Sequence, residues 1–342
     1  MRSSIEISRP NHSRPYLKIF ALILILSLIA VSFKPAAQFI DSQAVNSLRT
    51  LFLSIILESL PFLLLGAMIS AILEVLVSED TIARLLPRQT LPGLMVAACL
   101  GLLFPLCECG IVIIASRLAR KKVPLHLLTT FMLAVPLVNP IVILSTRMAF
   151  PDSPMTFYRI AGSLLLAILV GYSVKVVLGR QNVLKPSIES VHSCSCCEHQ
   201  PGEGMLHKLE AMLVHCSDEF FTMGSFFVAG AFLSSLFQVA VPRNLITEIG
   251  SGSCSSIAVM MALAFGLSLC SNADAFVANA FSSSFSMGAL TTFLIYGAML
   301  DLKNSFMLFA NFKARYVIIL FILVTSLVFL YGLAINHIGV IT

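Results

Sequence analysis

Pro105-Leu106-Cys107-Glu108-Cys109-Gly110 stands in the middle of a long apolar run. A charged side chain at the bilayer centre costs about 2.5–3.5 kcal/mol even on the mildest scale, so an acid in an apolar segment indicates a functional site. Pro105 and Gly110 bracket the motif, and both residue types weaken a continuous helix. A broken helix at membrane depth is tolerated where it is buried in protein or lines a polar cavity. We therefore predict a helix break here. The alternative is a kinked structural helix whose Glu108 pairs with a neighbour.

The composition is that of an integral membrane protein. Hydrophobic residues make up 58% of the 342 residues and charged residues 11%, against about 25% charged in soluble domains. Apolar runs of about 18 or more residues recur, and each is long enough to cross a hydrocarbon core. The net charge of +5 comes from short Lys/Arg clusters, which are typical of cytoplasmic loops rather than of nucleic-acid binding. We predict an all-α membrane protein whose partners are the lipid bilayer and a small-molecule or ion substrate. A homo-oligomer stays open, and no nucleic acid is expected.

Alternating polar and apolar stretches divide the chain into five parts. Residues 1–15 are expected to form a cytoplasmic tail. Residues 16–47 are expected to form an N-terminal transmembrane helix and a loop, with a cleaved signal peptide as the alternative. Residues 48–178 and 211–342 form two similar halves. Residues 179–210 form a polar linker that contains Cys and His, which we place in the cytoplasm.

Short motifs recur in the same order in the two halves. The sequence Leu-Thr-Thr-Phe occupies residues 128–131 and again residues 290–293. Cys107 precedes the first copy by 21 residues, and Cys270 precedes the second by 20. Gly66 and Gly230 also lie in similar settings. This shared order indicates an internal duplication.

The basic residues indicate how the two halves are oriented. If residues 92–118 crossed the membrane completely, the basic cluster Arg117–Lys122 would lie outside, against the cytoplasmic bias of Lys and Arg. If this segment turns back at its central motif, the cluster stays inside, and residues 253–281 become a hairpin that enters from outside. We therefore predict inverted repeats with re-entrant helices, an architecture of transporters, with nine simple spans as the alternative. Three basic residues of the second half are then expected to face the cytoplasm: Lys303, Lys313 and Arg315.

The helix breaks carry the candidate substrate-binding residues. Cys107 and Cys109 would point to different sides of a regular helix, but they can converge where the helix is unwound. Thiolates prefer soft ions such as Cu(I), and trivalent arsenic is bound for the same reason. Hydrogen bonding between helices is the alternative role of the asparagines. The candidates are Cys107, Glu108, Cys109, Asn139, Cys270, Asn272, Asp274 and Asn304.

Acids within apolar segments are candidates for coupling transport to a proton gradient, because a carboxyl group can take up and release a proton. Glu108 and Asp274 occupy corresponding segments of the two halves, so each could lie beside one central cavity. The complete candidate set is Glu108, Asp274, Glu58 and Asp301.

The linker contains a compact group of soft ligands that could capture a metal ion: Cys194, Cys196, Cys197 and His199. Its spacing matches no closed zinc module, so a surface loop with incidental thiols is the alternative. The sequence contains no phosphate-binding Gly-rich loop and no Walker or haem motif. We therefore expect no cofactor and no enzymatic activity such as ATP hydrolysis.

Three stretches resemble a bacterial family of predicted permeases that includes the organoarsenical efflux permeases. They are the motif at 105–110, Pro136-Leu137-Val138-Asn139-Pro140, and Cys270 with Asp274 and Asp301-Leu302-Lys303-Asn304. The resemblance covers residues 48–335. It implies an inner-membrane permease and, as in characterised relatives, export of trivalent organoarsenicals. We expect export of a small thiophilic solute, such as a trivalent organoarsenical or a soft metal ion, driven by the proton gradient. The alternatives are a membrane thiol redox enzyme that uses Cys107 and Cys109, and a permease for an unrelated solute.

Overall fold

A computed structural model describes residues 42–76, 90–102, 106–121, 123–179, 183–184, 205–240 and 252–341. These residues are helical apart from turns, short connections and one isolated bridge between Leu184 and Phe312. The all-α membrane architecture predicted from the composition is therefore confirmed. The predicted cytoplasmic tail, the N-terminal transmembrane helix and the Cys/His cluster of the linker lie outside the described residues.

Each half of the described chain contains six α-helices in a similar order of lengths. The first half contains α1 Ser42–Leu76, α2 Thr90–Cys99, α3 Glu108–Arg120, α4 Leu125–Val138, α5 Pro140–Ala149 and α6 Met155–Leu178, with a 3-10 turn at Leu100–Leu102 after α2. The second half contains α7 Met205–Ala240, α8 Ser253–Leu267, α9 Asp274–Ala280, α10 Met287–Met299, α11 Leu302–Asn311 and α12 Ala314–Ile341.

Five segments of the described chain are long and apolar enough to cross a membrane. A sixth is added if α4 and α5, which bend by 43° at their junction, count as one span. Helix α8 and the segment Leu91–Leu102 are apolar but shorter. The five segments are Val45–Ile72, Met155–Leu178, Phe220–Ala240, Met287–Asn311 and Ala314–His337.

The two longest helices begin before the apolar runs that predicted them. Helix α1 begins at Ser42 rather than near Leu48, and α7 begins at Met205, within the predicted linker. Apolar patterning marks only the part of a helix that lies in lipid. The 35 residues of α1 rise about 52 Å at about 1.5 Å per residue, whereas the hydrocarbon core is about 30 Å thick.

Polar residues begin the short helices inside the bundle. Helix α3 begins at Glu108, directly after the non-helical Leu106 and Cys107. The side chain of Asn139 caps α5 by accepting a hydrogen bond from the backbone N–H of Ile141 at 3.0 Å. Asp301 caps α11 in the same way. A first helical turn has N–H groups without intrahelical acceptors, and these side chains supply the missing oxygen.

Helices α4 and α10 begin at opposite ends of α6. Thr130, in the first half of α4, donates to the carbonyl of Ala167, just past the middle of α6, at 3.2 Å. Closer to the start of α4, the carbonyl oxygen of His126 would lie 2.9 Å from a Cβ atom at Gly171, nearer the end of α6. Thr291, near the start of α10, donates instead to the sulfur of Met155, the first residue of α6, at 3.2 Å. The hydroxyl of Thr129 lies 2.9 Å from that of Tyr316, near the start of α12. Each Leu-Thr-Thr-Phe motif thus contacts the beginning of the long last helix of the other half.

Helices α8 and α10 begin at the same end of the bundle, because both contact Asn336 near the end of α12. The Asn336 side-chain oxygen accepts from the backbone N–H of Gly288 at 2.9 Å. Its amide nitrogen donates to the hydroxyl of Ser253 at 3.3 Å. The chain from Ser253 to Gly288 therefore starts and finishes at one end of the bundle.

Two glycines let the long helices α1 and α7 approach the first turns of α3 and α11. A Cβ atom at Gly66 would lie 2.7 Å from the Cα of Gly110 in α3. A Cβ atom at Gly230 would lie 2.7 Å from the Cα of Lys303 in α11. Both neighbours are backbone atoms, so neither contact can be relieved by a side-chain rotation.

Gly66→Ala and Gly230→Ala should each lower the free energy of unfolding by about 1–3 kcal/mol, because the added methyl forces two backbones apart. Thermal unfolding in detergent measures the change. Gly297→Ala is the control, since its Cβ would meet only the Cβ of Ala264, at 3.3 Å, and the Ala264 backbone beyond that. An unchanged melting temperature in both test variants would contradict the close approach of these helices.

Candidate functional site

Two buried thiols meet at the start of α3. Cys107 is the N-cap residue, with extended backbone angles (φ −84°, ψ 172°), and Cys109 lies in the first turn. The two thiols lie close enough to interact with one another. Residues two apart would diverge along a regular helix. The extended backbone at Cys107 is what brings them together.

Glu108 lies between these cysteines in the sequence and is only 1% exposed. Its Oε2 accepts a hydrogen bond from the hydroxyl of Ser271 at 3.3 Å. Its Oε1 lies 3.9 Å from the ammonium of Lys303 and has no hydrogen-bond partner among the described residues. Glu108 therefore joins the start of α3 to the segment before α9 and to α11.

The ammonium of Lys303 is shared by two carboxylates. Besides Glu108, it lies 3.7 Å from Oδ2 of Asp301, the residue that caps α11. Cys270 belongs to the same region, since it interacts electrostatically with Glu108 and Cys107. We call this group the thiol–carboxylate cluster; its members are Cys107, Glu108, Cys109, Cys270, Ser271, Asp301 and Lys303.

The expected cytoplasmic position of Lys303 is wrong, because this residue is buried and 1% exposed. Arg117 is also buried within α3, so it does not belong to a solvent-facing loop cluster. The bias of Lys and Arg toward cytoplasmic loops applies to loop residues. It does not apply to a cation that has carboxylate partners inside the protein. Lys313 and Arg315 are exposed.

A second buried ion pair joins α6 to α9. The guanidinium of Arg159 donates to both carboxylate oxygens of Asp274, at 3.0 and 2.8 Å. The two side chains are 1% and 5% exposed. Glu108 and Asp274 therefore pair with different cations. Sequence reasoning overlooked Arg159, although an arginine inside the apolar helix Met155–Leu178 is itself a signal of a buried partner.

The remaining candidates lie at the ends of short helices or on the surface. Asn139 is buried and uses its side-chain oxygen to cap α5. The side-chain oxygens of Asn272 and Asn304 are buried and have no hydrogen-bond partner among the described residues. Glu58 is exposed on α1, although its charge acts on Cys270. Within the described chain, no group of three or more His, Cys, Asp or Glu side chains is placed to hold a metal ion.

Broken helices that meet around buried polar groups within a multi-pass bundle are an architecture of membrane permeases. Comparison with protein families agrees, since a family model described as "Predicted permease" (ArsP_1) matches residues 44–337. The chain belongs to this family, and it is a multi-pass membrane permease.

Curated relatives match most of the chain. The "UPF0718 protein YcgR" of Bacillus subtilis (strain 168) is 41% identical over 288 residues, which are 82% of this chain and 93% of the relative. The "Putative two-component membrane permease complex subunit" of Streptococcus mutans serotype c (strain ATCC 700610 / UA159) is 35% identical over 269 residues. That match covers 78% of this chain and 88% of the relative. No solved structure matches the chain.

Lys303→Met should lower the free energy of unfolding by about 3–5 kcal/mol, because it leaves two buried carboxylates without their cation. Chemical unfolding in detergent measures the loss. Adding Glu108→Gln to this variant should recover part of it, since one buried charge is then removed. Lys313→Met alters an exposed lysine of the same chain segment and should change little. Equal stability of the two single variants would show that the shared ion pair does not stabilise the fold.

Proposed function

We propose that this permease exports a small thiophilic solute, such as a trivalent organoarsenical or a soft metal ion, through the thiol–carboxylate cluster. The observation that carries the proposal is the contact between the buried thiols of Cys107 and Cys109, with Cys270 in electrostatic reach of Cys107. Thiolates are the side chains that soft ions prefer. Because Cys107 and Cys109 belong to the first half and Cys270 of the second half lies nearby, the solute would be held near the boundary between the halves.

We also infer that the two halves are inverted repeats that alternate in exposing the cluster. The opposite starts of α4 and α10 along α6 support this inference. The return of the chain from Ser253 to Gly288 at one end of the bundle supports a re-entrant hairpin in the second half. In permeases built from inverted repeats, one repeat rocks against the other around a fixed central site.

The proton gradient is the proposed driving force, with Glu108 as the principal coupling residue. Glu108 and Asp301 face one ammonium, so one of these two buried carboxylates lacks a full counter-charge. A buried carboxylate without a matching cation is costly, and taking up a proton removes the cost. Asp274 has a cation of its own in Arg159, so we assign it a secondary part in coupling.

The name of the Streptococcus mutans relative describes a subunit of a two-component permease complex. We propose that the present chain likewise works with a second membrane component, with a homo-oligomer as the alternative. We place it in the inner membrane, with its N-terminus and residues 179–210 in the cytoplasm.

A membrane thiol redox enzyme is the second candidate, because the contact between the Cys107 and Cys109 thiols also suits a pair that forms a disulfide. The family description as a permease favours transport. The two functions differ in a direct measurement. A redox enzyme would give thiol-dependent electron transfer in liposomes without movement of solute.

Cys107→Ser and Cys109→Ser should each abolish solute uptake into inverted membrane vesicles, because serine keeps the size but removes the soft donor. The panel comprises trivalent methyl- and phenylarsenicals and Cu(I), and immunoblotting checks membrane abundance. Cys254→Ser is the matched control, since this thiol is exposed. Full uptake by the double variant, at normal abundance, would exclude the thiols from the solute site.

Glu108→Gln should abolish uptake driven by an imposed proton gradient while sparing exchange of labelled for unlabelled solute, because exchange needs no net proton movement. The same vesicles measure both rates. Glu58→Gln, which changes an exposed acid on α1, should retain both. Gradient-driven uptake by a stable Glu108→Gln variant would remove this residue from the coupling mechanism.

A further inference from the structure

A cavity of about 390 Å³ lies at the end of the bundle where α6 and α10 begin. It is bordered by the loop between α5 and α6 and by the segment from the end of α9 to the start of α10. Its volume is near the lower end of the range for small-molecule sites, about 300–1,000 Å³. Polar and aromatic side chains line it together: Phe150, Asp152, Ser153, Asn279, Ser282 and Phe285.

Arg159 is buried about one helical turn from the lining of this cavity and is not itself part of that lining. Four helices contribute residues to the cavity wall, among them Ala149, Met155, Asn279 and Leu290. Three to five residues deeper along the same helices lie Arg159 itself and three of its hydrogen-bond acceptors. These acceptors are the hydroxyl of Thr146 at 2.8 Å, the carboxylate of Asp274 and the carbonyl of Leu294 at 3.4 Å.

The thiol–carboxylate cluster is adjacent to Arg159. The guanidinium donates to the backbone carbonyl of Ser271 at 3.1 Å. The hydroxyl of the same Ser271 donates to Glu108. The guanidinium therefore contacts the cluster directly through Ser271, and Arg159 connects the helices that line the cavity to the proposed solute site.

We propose that this cavity is the vestibule through which a small solute passes between the thiol–carboxylate cluster and one side of the membrane, and that the Arg159–Asp274 pair closes it. The proposal rests on the proposed function in that the cluster is taken as the solute site. The pair is suited to closing a path, because one planar guanidinium ties helices α5, α9 and α10 to α6. Displacement of the guanidinium releases these three helices from α6 together.

A hydrogen-bonded pair of opposite charges holds the path closed, in addition to any steric blocking by side chains. The guanidinium donates five hydrogen bonds, two of them to Asp274. Its Nε is buried and has no hydrogen-bond partner among the described residues. A bidentate arginine–carboxylate pair is strong and directional. Water or a polar solute that enters from the vestibule can replace these bonds, so the path can open without leaving the arginine unsolvated.

Accessibility of Cys270 tests the proposal without using any transported solute. The full chain, with every other cysteine replaced by serine, is labelled in sealed vesicles with a membrane-impermeant maleimide applied from each side in turn. Arg159→Ala should raise the labelling rate about tenfold or more from one side only, because a broken buried pair no longer holds the four helices together. The charge-swapped variant Arg159→Asp/Asp274→Arg should return the rate toward that of the parent.

Matched control variants distinguish the loss of the Arg159–Asp274 pair from general effects of substitution. Arg147→Ala removes an exposed arginine from the last turn of α5 and should leave labelling unchanged. If Arg159→Ala does not fold, Asp274→Asn breaks the same pair with little change of shape. In either opened background, Ser282→Trp should slow labelling by filling the cavity, whereas Ser284→Trp, two residues away and outside the lining, should not.

The outcomes separate the vestibule from the proposed function. Parent-like labelling in folded Arg159→Ala and Asp274→Asn variants would overturn the vestibule even if Cys107→Ser abolishes solute uptake. Equal labelling from both sides would overturn it as well, because the path would not lead to one side. Faster labelling from one side, with full uptake by the cysteine variants, would support the vestibule and reject the thiol site.

Discussion

A single ammonium group, that of Lys303, is held among carboxylates and thiols inside the bundle. Removing a lysine from water is expensive, and it is tolerated only where opposite charges and acceptors surround it. Asp301, which caps the same helix, supplies one carboxylate, and Glu108 supplies the other from α3. Gly230 allows α7 to lie directly against the backbone of Lys303. The break before α3, the cap of α11 and the packing of α7 therefore all contribute to burying this charge.

The ends of the short helices contribute to the same electrostatic balance. The N-terminus of a helix carries a partial positive charge, which stabilises an acid in its first turn. Glu108 begins α3 and Asp274 begins α9, so each acid occupies a favourable end as well as facing a cation. Arg117 and Arg120 in the last turn of α3 complement the opposite end of that helix. Helices that crossed the membrane without a break would have no N-terminus or C-terminus within the bundle.

Much of this architecture could be predicted from the sequence, because apolar length and isolated polar residues are local signals. The helical class, the break before Glu108 and the interruption at Asn139 can each be predicted from the residues at or next to those positions. The ion pairs did not, since pairing joins residues as distant as Arg159 and Asp274, and one sequence carries no record of that contact. Lys303 was misplaced for a related reason, because loop statistics were applied to a charge that is buried beside carboxylates from two helices. The rule that an acid within an apolar segment indicates a functional site applies equally to bases. Applied to bases, it would have identified Lys303 and Arg159 as candidates.

Ser271 takes part in both buried charge networks through different atoms. Its carbonyl accepts from Arg159, and its hydroxyl donates to Glu108. The two atoms belong to one residue, so a shift of the backbone that frees the arginine also changes the geometry at the carboxyl group. Thermodynamic linkage makes this relation reciprocal: whatever stabilises one arrangement at Glu108 must bias the arrangement at Arg159 by the same free energy. A residue as small as serine thus places two buried charge pairs under a common equilibrium, without any chain of intermediate residues between them.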